Sequence, residues 1–67
     1  MYKEVHDIAV WRRIRKISQV KLASMVGVSP TTIAIWENDP DKIPTGKLKT
    51  IISILEIDVT QLTFFAN

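Results

Sequence analysis

Gln19-Val20-Lys21-Leu22-Ala23-Ser24-Met25-Val26-Gly27-Val28-Ser29-Pro30-Thr31-Thr32-Ile33-Ala34-Ile35-Trp36-Glu37-Asn38 carries the start and stop signals of two short helices within twenty residues. Ser18, just before it, is a good N-cap for a helix over about 19–26, because its hydroxyl can accept from a free backbone N–H of the first turn. Gly27 follows where a left-handed residue ends a helix at no steric cost. Ser29-Pro30 then opens a second helix that runs to about 37. The serine caps it, and the proline sits in the first turn, where a missing N–H loses no bond. A close crossing of the two helices would need a small residue, which Ala23 can provide. Leu22, Val26, Val28, Ile33 and Trp36 fill the angle between them. Thr31, Thr32, Ala34 and Ile35 are left on the outer face of the second helix.

Outward from this pair the pattern stays helical. Val5, Ile8, Ala9, Trp11 and Arg12 recur at three- and four-residue spacing and predict a first helix over about 3–15, with no clear stop signal. Residues 38–44, Asn-Asp-Pro-Asp-Lys-Ile-Pro, have turn chemistry. Thr45 is the expected cap of a further helix over 46–55, with Leu48, Ile51, Ile52 and Leu55 as its apolar positions. Asp58 with Gln61 three residues on resembles a capping box that opens a short last helix ending near Phe65. The expectation is an all-α, compact five-helix domain spanning 1–67, with no strand, repeat or linker.

Composition narrows the function. No cysteine is present, so neither a disulfide framework nor a thiolate metal site can stabilise so short a chain, and apolar packing must do it. No apolar run approaches the roughly 20 residues of a membrane span, and the opening Met1-Tyr2-Lys3-Glu4-Val5-His6-Asp7 is too polar for a signal peptide. A soluble cytoplasmic protein is expected. Net charge is only +2, but residues 1–26 hold six cations and two anions (+4) and residues 27–67 three cations and five anions (−2), so the first half is the one suited to phosphate. His6 stands alone and is expected on the surface of the first helix. With no nucleophile and base side by side and no glycine-rich phosphate loop, neither an enzyme nor a cofactor is indicated.

The spacing Gln-x-x-Leu-Ala-x-x-x-Gly-Val-Ser-x-x-x-Ile-x-x-Trp-Glu-Asn resembles the helix-turn-helix of the Cro/repressor (Xre-like) family, lambda-repressor-like in fold, at about 19–38. The resemblance continues through Trp11-Arg12, Pro44 and the 55–62 segment. It implies that the second helix of the pair enters the major groove of double-stranded DNA while its predecessor crosses the backbone. It implies an ion pair between Arg12 and Glu37 that ties the first helix to the third. Gln19, Asn38 and Lys42 match positions that hold phosphate, with Ser29 also near the backbone. Base reading falls to Pro30, Thr31, Thr32, Ala34 and Ile35. The family's C-terminal region makes dimer contacts, which points to Val59, Leu62, Phe64 and Phe65; the other reading is that these close the protomer's own core.

Some residues depart from the family's pattern. Many relatives place Gln, Arg or Asn on the base-reading face, and this chain does not, so thymine-methyl contacts and DNA shape are expected to carry an A·T-leaning preference. Lys16 stands where a glycine is frequent, so either Lys16 is strained or the helix ends differently there. Lys21 lies in the first turn of its helix, where the dipole disfavours a cation. Asp39 and Asp41 put negative charge in the loop that should approach the backbone. Two functions follow from these features. The first is a sequence-specific repressor that acts as a homodimer on a pseudo-palindromic operator and is associated with the nucleoid. The second is a module of the same fold, an antirepressor or antitoxin, whose partner is another protein.

Overall fold

The computed structural model describes residues 4–63. Among them are four α-helices: α1 (Ile8–Ile14), α2 (Gln19–Val26), α3 (Pro30–Asn38) and α4 (Thr45–Leu55). Single 3₁₀ turns lie at Pro40–Lys42 and Val59–Gln61. The described residues form no strand, only an isolated parallel bridge between His6 and Leu62.

Each of the first three helices starts on a side-chain cap. Asp7 accepts from the Val10 N–H at 2.9 Å, Ser18 from Lys21 at 3.0 Å and Ser29 from Thr32 at 3.1 Å. Asp7 therefore shortens the expected first helix, which begins at Ile8 rather than near Lys3. His6 precedes it instead of lying on its surface. It is half-buried, its ring meets Trp11 edge-on at 5.1 Å, and its backbone bonds Gln61 and Thr63. Thr45 is the first residue of α4, and Pro44 occupies the cap position without a side-chain bond.

Three helices end alike. Gly27, Lys16 and Glu56 have φ of 87°, 59° and 56°, all left-handed. In each case the next residue's N–H reaches back five positions, from Ile17 to Arg12, Val28 to Ala23 and Ile57 to Ile52. That next residue is always a branched aliphatic, half-buried against the core, which is the apolar contact that accompanies this kind of helix end. Lys16 is thus the left-handed residue that follows the C-cap Arg15 of α1, in a conformation that costs a non-glycine residue about 1–2 kcal/mol.

The core gathers Ile8, Trp11, Leu22, Ala23, Val26, Ile33, Trp36, Ile43, Ile51, Leu55 and Leu62, so every helix contributes. The Trp11 indole donates to the Gln61 carbonyl at 2.7 Å, which fixes the C-terminal segment to α1. A fifth α-helix is not present among the described residues. The Asp58–Gln61 capping box forms as expected, but it opens only the three-residue 3₁₀ turn, and Leu62 is already extended. Phe64 and Phe65, where that helix was expected to end, lie outside the described residues.

Candidate nucleic-acid interface

The α2–α3 pair has the most extensive contact of any two elements, and Ala23, the small residue of α2, is almost fully buried. Ile33 and Trp36 bury the inner face of α3, so its outer face is fixed by the helical period. Pro30 and Thr31 are exposed, Ala34 is half-buried, and Ile35 keeps 45% of its surface in solvent although it is a large aliphatic. Asn38 continues the stripe at the C-terminal end of α3 and is also exposed. Thr32 sits to one side. It is half-buried, and its hydroxyl and that of Ser29 are 2.9 Å apart in a hydrogen bond.

Behind this face a buried polar cluster holds the helices in register. Glu37, at the end of α3, accepts from Arg12 Nε at 2.7 Å through Oε2 and from the Gln19 amide at 2.7 Å through Oε1. Arg12 also donates to the Ile17 carbonyl at 3.0 Å, closing the turn after α1. The Arg12 and Glu37 side chains are 11% and 9% exposed, so this is a desolvated pair with its hydrogen-bonding capacity largely satisfied. One carboxylate thereby joins the end of α1, the start of α2 and the end of α3. Gln19, expected at phosphate, is half-buried and spends one amide hydrogen on Glu37; an amide has two, and the second stays available.

Several cations are already committed to the fold. Arg15 caps the C-terminus of α4 through the Leu55 and Glu56 carbonyls at 2.6 and 3.2 Å and stacks over Trp11 at 5.4 Å. Lys47 donates to Val26, at the end of α2, at 3.2 Å. The sequence reading missed both, because which side chain reaches a distant helix end depends on tertiary packing. A basic residue shortly after a tryptophan is the one hint for Arg15. Lys42 is exposed and lies 3.9 Å from Asp39, a surface pair that offsets some of the loop's negative charge. Arg13, Lys16, Lys21 and Lys49 are exposed. Of the expected dimer contacts, Leu62 is buried in the protomer's core, Val59 is 46% exposed, and Phe64 and Phe65 lie outside the described residues.

A model of the helix-turn-helix family matches residues 8–62, from the first residue of α1 to the last core leucine. The chain belongs to the Cro/repressor-type (Xre-like) helix-turn-helix family. Searches of curated proteins and of solved structures returned no match. The family is one of DNA-binding transcription regulators, and double-stranded DNA is the ligand class it implies for this helix-turn-helix protein. No helix among the described residues is long and apolar enough to cross a membrane, and no three His, Cys, Asp or Glu side chains among them are grouped to hold a metal ion.

Proposed function

We propose that this protein is a sequence-specific transcriptional repressor that binds a pseudo-palindromic operator as a symmetric dimer. The observation that carries the reading is the division of α3: Ile33 and Trp36 anchor one face while Thr31, Ala34 and Ile35 stand on the other, with Ile35 held open to solvent. A buried anchor and a fixed outward face are what a helix needs in order to enter a major groove at one angle. Pro30, Thr31, Thr32, Ala34 and Ile35 then meet base edges. Ser29, Asn38, Lys42 and the spare Gln19 hydrogen meet phosphate, with Lys21 as a further cation beside them. Glu37 aims the Gln19 amide, so the network that sets the helix angle also sets a backbone contact. Val59 is the described residue best placed to extend into a dimer contact.

Selection from a randomised duplex library tests this reading. The expected product is a pseudo-palindrome with half-site centres about 10 base pairs apart. A library that yields no enriched sequence refutes it.

One observation favours a second reading, a protein-binding module of antirepressor or antitoxin type. The exposed Ile35 with exposed Asp41 nearby in sequence suits a protein surface as well as a groove. Salt separates the two, because counterion release makes DNA affinity fall steeply with ionic strength whereas an apolar protein contact is nearly insensitive to it.

A further inference from the structure

We infer that the recognition helix discriminates bases chiefly by the C5-methyl group in the major groove, with Ile35 as the specificity-determining residue, and that 5-methylcytosine can stand in for thymine there. The inference rests on the DNA-binding reading above and deepens it. Over residues 30–35 the outward face offers no amide, guanidinium or carboxylate. The Thr32 hydroxyl is engaged with Ser29 at 2.9 Å, which leaves Thr31 with the one uncommitted hydroxyl of that stretch. What the face does offer is the Ile35 side chain, 45% exposed, with the exposed Thr31 and its methyl one helical turn before it and the half-buried Ala34 methyl to one side. Exposing a large aliphatic at the centre of a polar-ligand site makes sense when the ligand presents an apolar group in return.

In the major groove that group is the C5-methyl. Thymine carries it; cytosine and uracil do not. 5-Methylcytosine carries the same methyl at the same ring position, while its other edge groups are exchanged relative to thymine. A side chain that hydrogen-bonds the base edge would register that exchange. An isoleucine that touches only the methyl does not. Binding to a site with cytosine at such a position is therefore strengthened by cytosine methylation.

The test uses the full chain and the best duplex from the library selection, remade with uracil for each thymine in turn, and with cytosine or 5-methylcytosine paired to guanine at the positions uracil identifies. At one or two positions per half-site, uracil is expected to weaken binding about three- to fivefold, the worth of one buried methyl. Cytosine there binds as poorly as uracil or worse, and 5-methylcytosine recovers most of the loss. Ile35→Ala, an exposed-site truncation, should bind thymine and uracil duplexes alike, with its helical content unchanged. The inference is overturned if uracil duplexes bind as tightly as thymine duplexes at every position, or if 5-methylcytosine binds no better than cytosine; DNA binding itself then stands. If no duplex binds selectively, the underlying reading falls with it.

Discussion

Glu37 holds two donors from two other helices on its two oxygens, and losing it strands Arg12 in a site where its side chain is only 11% exposed. Removing one partner of a buried pair typically costs about 3–5 kcal/mol, comparable with the whole stability of a domain this small. Glu37→Ala is therefore expected to leave the chain largely unfolded at 37 °C by circular dichroism. Arg12→Met with Glu37→Leu, an apolar pair of similar volume, should recover much of the melting temperature while losing the aimed Gln19 amide. Lys16 makes the opposite case, since its φ of 59° is one that glycine adopts freely. Lys16→Gly should stabilise by about 0.5–1 kcal/mol, a rise in Tm of several degrees for a domain this size. Gly27→Ala should lose about 1 kcal/mol at its φ of 87°, through backbone strain alone, because a Cβ there meets Lys47 Nζ at an ordinary 3.8 Å.

At the scale of elements, α3 depends on its first turn. Ser29 accepts from the Thr32 N–H and also bonds its hydroxyl, so Ser29→Ala is expected to cost about 1 kcal/mol in chemical denaturation and to weaken operator binding further by loosening that turn. α2 and α3 were legible in the sequence to within a residue, because Ser18, Gly27 and Ser29-Pro30 are local signals for local geometry. The start of α1 was misplaced because Val5 fits the helical period, yet Asp7 caps the chain two residues later and the preceding segment pairs with residues 61–63 instead. Its end was unmarked because Lys16 replaces glycine; the surviving sign was Ile17, the buried aliphatic that follows each left-handed end. The last helix failed for a related reason. A capping box starts a turn, but the bridge from Leu62 to His6 and the Trp11 bond to Gln61 hold the backbone extended after it. In the site, the outward stripe of α3 followed from its period, whereas the Gln19–Glu37 bond depends on the crossing of two helices and carries no sequence signature.

For the molecule as a whole, the modest net charge conceals how little of it is free. Arg12, Arg15 and Lys47 are bound to the fold, which leaves the exposed Lys21 and Lys42 as the cations proposed to meet phosphate from the α2–α3 unit. Lys42→Ala should therefore weaken binding to every duplex by a similar factor and lower the salt slope by about one unit per protomer, without altering which sequence is preferred. Two such cations on each of two protomers predict a slope of log affinity on log salt near −4. The most direct test of DNA recognition through α3 is the affinity of the full chain for its selected duplex and for a scrambled duplex of equal length, measured from 0.05 to 0.2 M salt. Affinity for the selected duplex is expected to fall about 150- to 250-fold across that range. DNA recognition through α3 also requires that the preference over the scrambled duplex persists throughout and is reduced in Ile35→Ala. Affinity independent of salt, or equal affinity for the two duplexes, would contradict it.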